Sequence, residues 1–311
     1  MLLMNLNYQK TINSSISLKG TGLHNGLNVN LHLKPAEVNS GIIFKRIDVK
    51  NVSNLIKANY DNVSSAVLCT KIENKVGVTV STVEHLMAAF YGEGIDNILV
   101  EIDAPEVPIM DGSAFDFAEA IKLVGIKEQR SLRKFIKVLK KVEIKDGPKY
   151  ISIEPLDKDL IIDFEIVYKN PLIRTRKQEF KFSNADLTSL YNSRTFCLYE
   201  DIDQIKSHGL AKGGSLENAI VVKANKILNN DGLRHRNEFI SHKILDCLGD
   251  LMLSGHRIFG HIKTSQGGHQ LTNTLLRKFM SEKSNWQFES LEKADIKGND
   301  SSYLESIVVN A

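Results

Sequence analysis

The sequence predicts an α+β protein of two domains, each a sheet with a pair of helices gathered on one face. Strand-like apolar runs open each half of the chain, a helix pair follows in each half, and a polar, basic stretch from Gly125 to Lys134 separates them. The boundary is placed there, giving an N-terminal domain at 1–129 and a C-terminal domain at 130–311. No residue-level repeat links the halves, so the shared element order alone points to duplication.

In the first half, Ile12 to Leu18 and Val29 to Leu33 flank the turn-rich stretch Gly20 to Gly26 and predict an antiparallel start. Ala66 to Thr70 and Val76 to Val80 flank the polar turn Glu73, Asn74, Lys75 as a hairpin would. Ser81 with Glu84 three residues later forms a capping-box pattern ahead of Leu86, Met87, Ala88 and Ala89, and Gly92 and Gly94 stop the helix. Ile98 to Ile102 reads as a continuous apolar strand, followed by a loop through Pro105, Pro108, Asp111 and Gly112 and a helix near Ala114 to Leu123. The second half places strands at Ile136 to Val142, Tyr150 to Pro155 and Leu160 to Tyr168, then helices near Asn237 to Leu253 and Leu271 to Met280. From about Ser281 the chain turns polar and loses periodicity, which predicts a peripheral tail.

With 311 residues and 42% hydrophobic content, the chain can bury two modest cores without disulfides. Lys+Arg total 40 and Asp+Glu 37, and the resulting net charge of +3 argues against a dedicated polyanion binder while leaving room for a small anionic ligand. Cys69, Cys197 and Cys247 are far apart and odd in number, so neither a disulfide framework nor a CxxC metal site is indicated. No secretory-signal pattern opens the chain and no run approaches the roughly 18 apolar residues of a membrane span, so the expected location is the reducing cytoplasm, without stable membrane insertion.

The strongest chemical signal is His242-Lys243-Ile244-Leu245-Asp246, inside a stretch where Ile240, Ile244, Leu248 and Met252 recur every four residues. Residues four apart share a helix face, so His242 and Asp246 can converge on one ion, and Asp250 continues the row. An isolated pair of this kind is more often a hydrogen bond on a solvated face. A second candidate, Glu84-His85, opens a helix, where the positive dipole end favours neutral imidazole; the plainer alternative is that Glu84 only closes the capping box. The third is Gly267-Gly268-His269, where the glycines permit backbone conformations that lift a histidine into a cleft, although many loop histidines do nothing of the kind. Together these pieces supply two histidines and one carboxylate for zinc, with a Glu and a His to spare, an inventory that fits metal-assisted hydrolysis. HExxH is absent, because the residue four beyond His85 is Ala89.

Seven segments in order then resemble the zinc-dependent UDP-3-O-acyl-N-acetylglucosamine deacetylase family of lipid A biosynthesis. They are Gly20-Thr21-Gly22-Leu23-His24, Ser81 to Leu86, Pro108 to Ser113, Arg194-Thr195-Phe196, Gly213 to Ala219, His242 to Asp246 and Gly268-His269. The resemblance runs from about Thr11 to Met280. It implies two similar α+β domains facing each other, the helices sandwiched between the sheets and the active site between the domains. It implies His85, His242 and Asp246 as ligands of Zn2+, Glu84 as general base, His269 as the acid that protonates the leaving amine, and Thr195 as a donor to the oxyanion. Phe196 and Lys243 would line the sugar and nucleotide part of the cleft, and Asp250 would orient His269. The implied substrate is a UDP-linked acylated amino sugar, its acyl chain held in an apolar passage formed by an insert including Ile205 to Val222. Ser193 and Cys197 depart from the family pattern, and the tail beyond Ser281 is longer than expected.

Three rival readings remain at this stage. One is a zinc amidohydrolase acting on another N-acyl compound. Another is a nucleic-acid module using Arg174, Arg176 and Lys177 or Arg234 and Arg236, and the last is a structural zinc protein, which requires a closed four-ligand site.

Overall fold

A computed structural model describes residues 7–291. The first unit contains β1 (Tyr8–Ile12), β2 (Ile16–Thr21), β3 (Asn28–Pro35), β4 (Ile42–Arg46), β5 (Leu55–Lys57), β6 (Val63–Ser65), β7 (Lys71–Glu73), β8 (Thr79–Val80), α1 (Glu84–Glu93), β9 (Ile98–Ile102) and α2 (Phe115–Val124). After β10 (Ile126–Leu132) come β11 (Phe135–Val138), β12 (Val142–Asp146), β13 (Lys149–Glu154), β14 (Leu160–Ile166), β15 (Arg176–Lys181), α3 (Leu187–Tyr191), β16 (Phe196–Leu198), α4 (Ile202–Ser207), β17 (Ile220–Lys223), β18 (Lys226–Ile227), α5 (Glu238–Met252), β19 (Arg257–Ser265), α6 (His269–Ser281) and β20 (Trp286–Glu289).

The two main sheets share one topology. The first runs β2-β3-β9-β4-β5, and the second contains β12-β13-β19-β14-β15. In both, two hairpins flank a later central strand that pairs antiparallel with the first hairpin and parallel with the second. The duplication that no residue-level repeat supported is therefore visible in pairing direction and strand order. The second sheet is extended by β11 and β20.

The helices meet between the sheets, with α1 packed on α5. Every residue of α1 is buried, as are all residues of α5 except Lys243. A helix apolar on all sides belongs in the interior, and α1 fits this through Leu86, Met87, Ala88, Ala89 and Phe90. Gly249 makes the closest crossing possible: a Cβ there would lie 1.9 Å from the Glu84 carbonyl oxygen and 3.1 Å from Ala88 N. At the other end of α1, Gly94 supplies the left-handed C-cap (φ 77°). The buried Arg133 and Arg257 guanidiniums donate to the carbonyls of Gly94 and Tyr91, countering the negative end of the helix dipole.

Several sequence expectations are corrected. The capping box does not form: the N-cap is Val83 without a side-chain bond, and the Ser81 hydroxyl donates to Pro105 O at 3.2 Å. Thr82 between them takes φ 57°, which turns the chain away from the capping geometry and leaves Glu84 free for other work. Gly92 lies within α1 rather than ending it, and its missing Cβ makes room for the Tyr191 hydroxyl. The hairpin after Ser65 is the pair β7 and β8, so residues 66–70 form a loop. Ile12 to Leu18 is broken at residues 13–15 into β1 and β2. The basic stretch from Gly125 is largely strand β10, paired with β1, and Lys140 and Lys141 fall between β11 and β12. Past Ser281, β20 buries Trp286 against the second sheet; the rest of the predicted tail, 292–311, lies outside the described residues, as do 1–6.

Most side chains of the basic clusters have partners within the chain. Arg176 donates to the carbonyls of Ile173, Leu172 and Arg236, Arg174 to Pro171 O, Lys177 pairs with Glu165, and Arg234 with Asp111. No helix among the described residues is long and apolar enough to cross a membrane.

Two glycines offer a contrast in stability. Gly249→Ala is expected to lower unfolding free energy by at least about 1–3 kcal/mol, because backbone on α1 cannot yield as a side chain could. Gly268→Ala, with extended φ −179° and open space at its Cβ, is expected to stay within about 0.5 kcal/mol of the parent. Chemical denaturation of the two variants checks both.

Candidate metal centre

The row on α5 comprises Glu238, His242, Asp246 and Asp250, four polar side chains spaced by one turn on a buried helix whose other polar side chains are Ser241 and Lys243. The helix crossing carries this row to the first turn of α1, where Glu84 and His85 sit. His85 Nε2 and His242 Nε2 each lie 3.4 Å from Asp246 Oδ1, and one donor atom from each of these residues falls within 4.8 Å of the others. The imidazoles meet edge to face at 5.0 Å.

The orientation of each group is set by its second contact. His242 Nδ1 lies 3.0 Å from Ser193 O, an acceptor, so that nitrogen carries the proton and Nε2 keeps its lone pair. Burial lowers the His242 pKa to about 3 despite the opposing pull of Asp246, so the ring is neutral, the form that ligates metal. Asp246 Oδ2 accepts from Lys243 Nζ at 2.6 Å. Burial opposes ionisation of Asp246, but the Lys243 ammonium that donates to it outweighs burial and holds the carboxyl well below the usual range. Asp246 Oδ1 is buried and has no hydrogen-bond partner among the described residues, and neither has His85 Nδ1.

An unpaired buried acceptor costs about 1–3 kcal/mol, more when charged. The unprotonated His242 Nε2 beside it cannot offset that, whereas a cation shared by all three groups can. The donor set of two imidazoles and one carboxylate therefore fits a divalent metal, and three protein ligands leave coordination room for water or substrate. Among the described residues the cluster comprises these three, short of the four ligands of a closed structural site.

Beside it lies a second cluster. His269 is the first residue of α6, with Gly268 as its N-cap. This corrects the reading of a histidine lifted on a flexible glycine loop: Gly268 has extended backbone that any residue adopts, and Gly267 is small because a Cβ would meet the Thr264 hydroxyl at 2.4 Å. His269 Nδ1 is 2.7 Å from Asp250 Oδ2, and Nε2 is 3.6 Å from Glu84 Oε1. Burial disfavours the imidazolium, but Asp250 and Glu84 outweigh it and raise the pKa to about 10. Burial pushes the Glu84 carboxyl above its ordinary range, with His269 and His85 opposing. Glu84 Oε2 accepts from Thr70 N at 3.1 Å.

Glu84, His85, Thr195, Phe196, His242, Lys243, Asp246 and His269 all line one cavity of about 270 Å³, and Asp250 stands behind it, bonded to His269. Thr195 is set by backbone: its N donates to Gly112 O and its carbonyl accepts from Ile220 N, both at 2.8 Å. Gly112 is required there, since a Cβ would lie 2.1 Å from Asn218 O. Phe196 packs 6.3 Å from the His242 ring and 4.9 Å from Phe239. Leu198 and Ile205 extend an apolar wall.

Three residues of the site escaped sequence reasoning, and a fourth, His24, entered only as the end of a family segment, without a role. Glu238 binds Arg194 Nε at 2.8 Å and pins the segment before Thr195 to the start of α5; the four-residue row, extended one turn backwards, could have revealed it. Tyr168 lines the cavity 5.7 Å from Phe196. His24 also lines it, held in place as Glu106 accepts from its backbone N at 2.8 Å. Thr70 is a lone residue in a loop with no local signal at all.

The family model described as UDP-3-O-acyl N-acetylglycosamine deacetylase matches residues 9–281. Relatives named UDP-3-O-acyl-N-acetylglucosamine deacetylase include one from Idiomarina loihiensis, 42% identical over 92% of this chain and 94% of its own length. One from Aliivibrio fischeri is 42% identical over 91% and 93%, and one from Shewanella frigidimarina 40% identical over 93% and 95%. With the match running over residues 9–281, which include every candidate metal-site residue, the chain belongs to the UDP-3-O-acyl N-acetylglycosamine deacetylase family.

Proposed function

We propose that this protein hydrolyses the acetamide of a UDP-3-O-(3-hydroxyacyl)-N-acetylglucosamine, releasing acetate, as the committed step of lipid A biosynthesis in the cytoplasm. The observation that carries the reading is the convergence of two histidines and an aspartate, one carboxylate oxygen left unpaired, beside a buried acid–base pair in one cavity. Zn2+ is the metal proposed, held by His85, His242 and Asp246. Bound there it would supply a Lewis acid that polarises the amide carbonyl and acidifies water to a pKa of about 7.

The chain's own groups would do the remaining work. Glu84, anchored at one oxygen by Thr70 N, is free at the other to take a proton from the attacking water. The Thr195 hydroxyl is proposed to donate to the amide oxygen as negative charge builds there, a contact stronger in the transition state than in the ground state. His269, held cationic by Asp250, donates its proton to the departing amine, which cannot leave as an anion. Phe196 and Lys243 are placed in the sugar and nucleotide subsites. The apolar side chains Leu198 and Ile205 support an acyl passage formed in part by 205–222.

Glu84→Gln is expected to keep stoichiometric metal while turnover falls about 10²- to 10⁴-fold, whereas His242→Ala and Asp246→Ala lose the metal itself. Metal analysis coupled to an acetate-release assay on the acylated UDP-sugar separates these outcomes. Equal turnover of simple N-acetyl compounds would favour an amidohydrolase of other specificity.

His269 acts as an acid only while protonated, so activity should fall as pH rises through its pKa. With the pKa raised to about 10, that limb lies well above the imidazole norm. A divalent cation held by His85, His242 and Asp246 would repel the imidazolium and move the limb to lower pH. In His269→Ala the limb is expected to vanish along with most turnover; a pH–rate profile of both proteins measures it.

A further inference from the structure

Thr70 lies in the loop just before β7, 2% exposed, and each of its polar groups reaches towards the site. Its N donates to Glu84 Oε2 at 3.1 Å and its hydroxyl donates to Asp250 Oδ1 at 2.6 Å. Its carbonyl accepts from Val83 N, the residue that opens α1, at 3.4 Å. Asp250 uses its other oxygen to hold His269 Nδ1, and His269 Nε2 faces the second oxygen of Glu84. Thr70, Glu84, His269 and Asp250 therefore form a closed ring in which each carboxylate is held at one oxygen by Thr70 and turned with the other towards the imidazole.

We propose that Thr70 is a positioning residue for the deacetylation, setting the carboxylates of Glu84 and Asp250 so that base and acid address the same cavity. The inference rests on the roles of Glu84 and His269 proposed above. A carboxylate anchored at only one oxygen can swing about its Cβ–Cγ or Cγ–Cδ bond, and a second donor at the far oxygen removes that freedom. The Thr70 hydroxyl is the donor in its 2.6 Å bond to Asp250 Oδ1. The elements joined are distant in sequence: Thr70 and Asp250 are 180 residues apart, so the ring forms only when the two units close on each other.

The test compares Thr70→Val, which keeps the side-chain shape and the backbone bonds but removes the hydroxyl, with Thr70→Ser, which restores it. Turnover is counted per bound metal so that loss of folded protein does not enter. Thr70→Val is expected to lower kcat about 10- to 100-fold, the usual range for a group behind the reacting residues, with KM and metal content unchanged; Thr70→Ser stays within about 3-fold of the parent. In an Asp250→Ala background the Val substitution should cost less than about 2-fold more, because the hydroxyl then has nothing to position.

A Val variant as active as the parent overturns the proposal, and so does a Ser variant that fails to recover kcat or a full additional loss in the Asp250→Ala background. Failure of the parent protein itself to release acetate from the acylated UDP-sugar overturns the deacetylase reading and, with it, this one. An active parent with an unaffected Val variant overturns the role of Thr70 alone.

Discussion

The crossing of α1 and α5 at Gly249 is the constraint from which the rest follows. A single missing Cβ lets the α5 backbone approach the Glu84 carbonyl, and only at that separation does the row His242–Asp246–Asp250 reach His85 and Glu84. Neither helix holds a complete site. The candidate ligands come from both units of the duplicated fold, so bringing them together and packing the molecule's central helices are the same event. Spacing on α5 distributes the labour: Glu238 secures the Thr195 segment through Arg194, His242 and Asp246 face His85, and Asp250 holds His269.

Two histidines in one buried cavity are driven to opposite protonation states by their neighbours. Burial alone would neutralise both. For His242 burial wins, and its Nδ1 proton is committed to a backbone carbonyl. For His269 two carboxylates outweigh burial, giving a cation poised as a donor. Asp246 stands between these regimes, satisfied at one oxygen by Lys243 and bare at the other. The bare oxygen faces the same point as the two imidazoles, which makes these three groups the candidate metal site.

Legibility in the sequence followed how local each feature was. The long helix α5 was plain from its four-residue apolar period, and β9 from Ile98, Leu99, Val100 and Ile102, interrupted only by Glu101. The central strand β19 was missed because Gly260 and flanking polar residues interrupt its pattern, although it pairs with strands on both sides. Strand β10 reads as a polar linker because, paired only with β1, it has little apolar face to display. The capping box at Ser81 failed through a backbone dihedral at Thr82 that no propensity anticipates. Within the site, residues sharing a helix row could be grouped by spacing, and the family segments supplied their roles. Thr70 and Tyr168 could not be found that way, since only tertiary contact brings them to the cavity.

The central claim is that His85, His242 and Asp246 share one metal ion in the active protein. Anomalous diffraction at the zinc edge, on crystals grown from metal-replete enzyme of verified turnover, addresses it directly. One strong peak within bonding distance of both imidazoles and Asp246 Oδ1 is the expected result. A catalytically competent crystal with no peak there, or with its metal bound away from these three side chains, would contradict the account.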